Sequence, residues 1–210
     1  MPIDFYYIIG SPPCTAVLLT AKAVGINLNL KLKEENKEHL LKINPQNTVP
    51  TIDDTGFVLW ESRAIMQYLQ NQYGTDASLY PTDPKERAIV DFMMYFDIST
   101  LYDRLYYYLL HVAFGFGYDP EKFVKLNEAF KLFDTMLSNS EHAAGNKLTL
   151  ADLTLVATVS TSDFLGYDLT PYKNIVRWYT KVKEVAPGYE QITNKSRLAI
   201  KQQIDKINEK

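Results

Sequence analysis

What the chain lacks narrows its chemistry. A single cysteine, Cys14, in 210 residues leaves no pair for an internal disulfide and no cluster for a multi-cysteine zinc site. Only His39, His111 and His142 are available, so no metal centre is expected. No apolar run reaches the roughly 18 residues of a membrane-spanning helix, and no membrane partner is expected. Met1-Pro2-Ile3-Asp4 carries no basic region followed by an apolar stretch, so a secretory leader is not expected and a reduced, cytoplasmic location is. A cationic surplus is missing too. Lys plus Arg number 22 against 25 Asp plus Glu, a net charge of −3, which argues against nucleic acid as a partner. At 46% hydrophobic and 22% charged residues the chain is neither disordered nor a coiled coil, and it is long enough to bury a core without staples.

Ile3 to Ile9 is aromatic and β-branched and reads as a strand, broken by Gly10-Ser11-Pro12-Pro13. Ser11 then has the place of an N-cap with Pro12 at the first helical position, and the helix behind it runs to Val24 and closes at Gly25. Leu28 to Lys33 alternates apolar and polar, a second strand, and a βαβ unit implies that the two are parallel. A short helix over Leu40–Asn44 stops before Pro45. Val49–Ile52 and Phe57–Trp60 flank Asp53-Asp54-Thr55-Gly56, a hairpin signature, and Glu61-Ser62-Arg63 opens a further helix with Ile65, Tyr68 and Leu69 on one face. The order βαβ-α-ββα predicts an α/β thioredoxin-like domain over residues 1–77. A proline-punctuated linker comes next over 78–84, and residues 85–210 hold no strand pattern, so an all-helical bundle is expected there. Asp83-Pro84 begins one long helix reaching about Leu110. Asp119-Pro120 begins another with the stripe Phe123, Leu126, Phe130, Phe133 and Leu137. Thr149 and Asp152 form a capping box, stapled by Leu148 and Leu153, and helices follow over Tyr172–Val185 and from Tyr189.

Chemistry concentrates in three short segments. In a thioredoxin-like fold the loop holding Ser11-Pro12-Pro13-Cys14 usually carries Cys-x-x-Cys, because a helix N-terminus stabilises a thiolate. With serine at the first position, the turn favours a sulfur anion that a ligand would supply, Ser11 donating a hydrogen bond to it; equally, Ser11 serves only as an N-cap. Cys14 is expected to be a small buried hydrophobe. Val49-Pro50, if cis, frees the Val49 backbone for an extended peptide; a trans proline at a strand start is the simpler alternative. Glu61-Ser62-Arg63 can hold an α-carboxylate and its ammonium, or can merely cap a helix and supply a structural ion pair through Arg63. Together these segments describe a short peptide with a central thiol and an amino-acid-like end, which glutathione fits.

The same residues carry a resemblance. Ser11-Pro-Pro-Cys14-Thr-Ala-Val-Leu-Leu-Thr-Ala-Lys22, Leu41-Lys-Ile-Asn-Pro-Gln46, Thr48-Val-Pro-Thr51, Leu59-Trp-Glu-Ser-Arg-Ala-Ile65, Ser78-Leu-Tyr-Pro81 and Leu150-Ala-Asp-Leu-Thr-Leu-Val-Ala-Thr158 resemble the cytosolic glutathione transferases, most of all the insect delta class. The resemblance covers nearly the whole chain. It implies that Ser11 is the catalytic serine, that Val49 and Pro50 form the cis-proline segment, and that Glu61 and Ser62 bind the γ-glutamyl end beside Arg63. Two departures stand out. Delta relatives usually have histidine after Asn-Pro-Gln to hold the glycyl carboxylate, where this chain has Asn47, which carries no charge. The segment before Leu41 is also short, and His39 within it is a second candidate for that end.

The resemblance further implies a glutathione transferase of the detoxification type, a homodimer using glutathione as co-substrate and conjugating it to hydrophobic electrophiles. The alternative is a non-catalytic carrier or interaction module on the same scaffold. The second substrate is expected between the domains, where seven aromatic residues crowd the stretch from Tyr102 to Tyr118. Tyr102, Tyr106, Phe114 and Pro13 are expected in that pocket, with Phe164 and Tyr167 as further candidates.

Overall fold

All strands among the described residues come from the first third of the chain: β1 (Ile3–Tyr7), β2 (Leu28–Leu32), β3 (Thr51–Asp54) and β4 (Phe57–Trp60). The computed structural model describes residues 2–209. The sheet order is β2-β1-β3-β4, with β1 parallel to β2 and antiparallel to β3, and β3 antiparallel to β4. The hairpin between β3 and β4 turns through Thr55 (φ 54°) and Gly56 (φ 97°), the left-handed pair that a two-residue loop demands.

Register decides where the chain ends its strands. Tyr7 sits opposite Leu32, and Tyr6 opposite Thr51, which in turn faces Trp60. The exits of β2, β1 and β4 and the entrance to β3 therefore share one end of the sheet.

α1 (Pro12–Ala23) begins as the Ser11-Pro12 pair requires. It packs both on α3 (Ser62–Tyr73) and on the helical half of the chain, and so buries Cys14, Ala16, Val17 and Leu19 between the two. α2 (Lys37–Ile43) starts earlier than its apolar residues suggest, after one 3-10 turn over Lys33–Glu35, and anchors through Leu40. β1 is two residues shorter than its composition implies. Ile8 and Ile9 leave the sheet to form the turn into α1, where the Ser11 amide donates to the Ile8 carbonyl at 3.3 Å.

The helical half comprises α4 (Pro84–Phe96), α5 (Tyr102–Phe114), α6 (Pro120–Met136), α7 (Leu150–Phe164), α8 (Lys173–Val185) and α9 (Tyr189–Asn208). Asp83 and Asp119 cap α4 and α6, each accepting backbone N–H bonds from the first turn. The expected single helix from Pro84 to about Leu110 is instead two helices joined by a π-turn over Asp97–Leu101, and the second runs on to Phe114. The wide turn re-phases the helix so that Asp97 and Leu101 are both fully buried. Gly115 in the left-handed region (φ 70°) ends it, with its amide and that of Phe116 returning to the last carbonyls. α7 is buried on every side from Leu150 to Ser162 and forms the centre of the bundle. No helix among the described residues is long and apolar enough to cross a membrane.

Candidate active site

Four segments emerge at the shared end of the sheet: the β1–α1 turn with Ser11, Val49-Pro50 before β3, Glu61-Ser62 after β4, and Lys33 after β2. The Val49–Pro50 bond is cis, and neither backbone polar group of Val49 has a hydrogen-bond partner among the described residues. Ser11 is half-buried. It occupies the N-cap position of α1, its carbonyl accepting from the Thr15 amide at 2.9 Å, but its side chain makes no capping bond. Cys14 lies three residues on, 1% exposed, and burial pushes its thiol up to about 11. A thiolate at this helix end therefore has no source in the chain itself at neutral pH.

Ser11 lines a cavity of about 660 Å³, the size of a small-molecule pocket. Tyr7, Ile8 and Ile9 form one wall, Tyr102, Tyr106 and Phe114 of α5 another, and Ile200 of α9 a third. Tyr7 keeps its proton, because burial and the nearby Cys14 and Glu35 raise its phenol above the ordinary value. Tyr102 is shifted upward as well, chiefly by burial. The Tyr102 and Tyr106 rings lean on one another at 6.2 Å between centroids.

Other residues expected here lie elsewhere. Pro13 is half-buried and does not line the cavity. Tyr167 is 6% exposed and lies on Phe130, its hydroxyl donating to Asn127 at 2.6 Å, and it borders a separate hollow with Tyr108, Phe123 and Tyr172. Phe164 sits under the Arg197 guanidinium at 4.3 Å and does not face Ser11. Tyr107, Tyr108, Phe116 and Tyr118 line a second small cavity with His111, so α5 presents its aromatics on two faces.

At the start of α3, Glu61 adopts φ 70°, an uncommon conformation for a residue with a side chain, and is exposed. Ser62 is buried. Its Oγ accepts from Arg63 Nη1 at 2.7 Å, which leaves its own O–H and the first-turn backbone N–H groups to meet a ligand. Arg63 faces inward, and its Nη2 pairs with fully buried Asp97 on the π-turn. Burial lowers the Arg63 guanidinium to about 10, still charged at neutrality. Arg63 thus forms the ion pair weighed for it from the sequence, tying α3 to the helical half, while its Nη1 holds the Ser62 hydroxyl.

Asn47, also expected at the site, has φ 51°. Its carbonyl accepts from Lys33 Nζ at 2.6 Å, and its side-chain oxygen is buried without a partner. It does not line the Ser11 cavity; Lys33 does. His39 is exposed on α2 with its ring 5.7 Å from that of Tyr6, likewise outside the cavity lining. Lys33, Ile8, Ile9 and Ile200 escaped the sequence reading. The one available signal was that the apolar run Ile8-Ile9 continues past the strand into the turn.

Comparison with known proteins places the chain among relatives of one family. A family model described as glutathione S-transferase, N-terminal domain, matches residues 1–71, and one described as glutathione S-transferase, C-terminal domain, matches residues 117–184. A Nilaparvata lugens delta-class glutathione transferase is 50% identical, with a TM-score of 0.92 over 97% of this chain and 99% of that one. A Bombyx mori glutathione transferase in complex with GTT is 42% identical, TM-score 0.90, over 97% and 98% of the two chains. Glutathione S-transferase 1-6 from Anopheles dirus species B is 38% identical, TM-score 0.85, over 92% and 94%.

Proposed function

The chain belongs to the glutathione transferase family, whose members are enzymes that use glutathione, and from that premise we propose that Ser11 activates the glutathione thiol for attack on hydrophobic electrophiles. The observation that carries this reading is the Ser11 hydroxyl, free of any capping bond, at the N-terminus of α1 and in the wall of a 660 Å³ cavity. The positive end of α1 and the Ser11 O–H both stabilise a sulfur anion, so the bound thiol releases its proton near neutrality. The γ-glutamyl end lies at Glu61 and Ser62, with the ligand backbone against Val49. The thiolate attacks the electrophilic carbon of a second substrate held by Tyr102, Tyr106 and Phe114, and the leaving group departs with the bonding pair. No covalent enzyme intermediate is involved. Rate comes from anion stabilisation and from holding the reactants together.

The experiment is Ser11→Ala, assayed with a chlorinated nitroaromatic and by ultraviolet titration of the bound thiol. A higher thiol pKa and lower turnover support the reading; unchanged activity overturns it. Retention on immobilised glutathione without turnover in the native chain would favour the carrier instead.

The α4 face is consistent with a homodimer. Ile89, Phe92 and Tyr95 repeat every three residues and are 50%, 52% and 64% exposed, an apolar stripe that a second copy would cover.

A further inference from the structure

Among the described residues lining the Ser11 cavity, Lys33 is the one cation. The neighbouring acid on that wall, Glu34, is already paired with Lys37 at 2.5 Å. Lys33 has no carboxylate within ion-pair distance among the described residues. One of its three N–H donors goes to the Asn47 carbonyl, leaving two for a ligand. Half-buried, it sits where a carboxylate would meet a charge only partly screened by water. Its charge also reaches the Ser11–Cys14 turn, where it favours the anionic form of the Cys14 sulfur.

Sheet order places this cation relative to the rest of the site. Lys33 follows β2 at one edge and Glu61-Ser62 follows β4 at the other, with the Ser11 turn and Val49 on the two strands between them. Three interstrand steps separate the edges by about 14 Å. Three extended residues span roughly 11 Å, and a γ-glutamyl linkage lengthens that, so a tripeptide with a carboxylate at each end matches the distance. One carboxylate meets the start of α3. The other arrives at Lys33.

We propose that Lys33 holds the glycyl carboxylate of glutathione, supplying from the end of β2 the charge that Asn47 lacks. This rests on the glutathione transferase reading above and adds to it a residue and an element. Asn47 then acts behind Lys33, its carbonyl fixing the ammonium in place.

The test compares glutathione with its glycyl amide, which replaces the terminal carboxylate by a neutral group of the same shape, by titration calorimetry on the native chain, Lys33→Met and Lys33→Arg. The native chain should prefer the acid over the amide by about tenfold, Lys33→Met should lose that preference, and Lys33→Arg should retain most of it. A native chain that binds both ligands equally overturns the assignment of Lys33 while leaving the glutathione reading intact. So does a Lys33→Met variant that weakens both ligands alike, since that is the pattern of a merely structural bond to Asn47. A native chain that binds neither ligand and turns over no electrophile overturns both proposals. If Lys33→Met fails to fold, the native preference and the Lys33→Arg result still decide.

Discussion

At the start of α1, Ser11 and Cys14 stand one turn apart and have opposite fates. Ser11 lines the cavity wall, while Cys14 is buried, grouped with the end of β1 and with α9. On the proposed mechanism Ser11→Ala removes the donor to the bound sulfur, so turnover should fall roughly a hundredfold and the bound thiol pKa should rise by about one to two units, with an unaltered fold. Cys14 carries a pH prediction. Its folded thiol lies near 11 against an ordinary 9.0, so the neutral form is favoured by folding. That stability is fully present below pH 9 and is lost as pH rises toward 11, up to about 3 kcal/mol. Urea midpoints measured from pH 8 to 11 should fall, and Cys14→Ala should flatten the slope. Burial of Cys14 was legible from its place in an apolar helix. The inward turn of Arg63 was not, because its partner Asp97 is 34 positions away in the chain.

Among elements, α7 shows how a short motif organises a larger region. The sequence reads Thr149 and Asp152 as a capping box, and the Thr149 amide does donate to Asp152 Oδ2 at 2.9 Å. The other carboxylate oxygen reaches further, accepting from the Ala143 amide at 2.7 Å and from Trp178 Nε1 at 2.8 Å. One fully buried carboxylate thus joins the loop before α7 to the centre of α8. Asp152→Ala should orphan four buried donors, the Thr149 hydroxyl being the fourth, and cost about 3–5 kcal/mol in equilibrium denaturation, with little effect on glutathione affinity in the fraction that folds. The π-turn between α4 and α5 had no such local signature. A helix-forming run reads the same whether a turn holds an extra residue or not, and the extra residue is held by the Arg63–Asp97 pair, a contact across domains.

For the molecule as a whole, the site is a product of strand register. Lys33, Ser11, Val49 and Glu61 meet only because four strand ends coincide, and α9 then closes the cavity by resting Ile200 on the turn at Gly10, where any side chain would press against it. The exposed stripe of α4, by contrast, faces nothing within the described chain. Phe92→Asp places a charge in its centre and should convert a dimer to a monomer by light scattering, with secondary structure retained. A native chain that is already monomeric at assay concentration would remove the proposed interface.

The amino-acid sequence by itself determined the strand order, the helix order apart from the break between α4 and α5, the proline and aspartate caps, the hairpin turn, the burial of Cys14 and the family, because each depends on neighbours within a few positions or on motifs read in line. Only the tertiary structure decided that Arg63 pairs with Asp97, that the Asn47 carbonyl meets Lys33, that Tyr167 packs in the bundle, and that Lys33 enters the cavity wall. Those outcomes depend on which side chains reach a shared space first, and in a close-packed interior that is settled by contacts between residues distant along the chain.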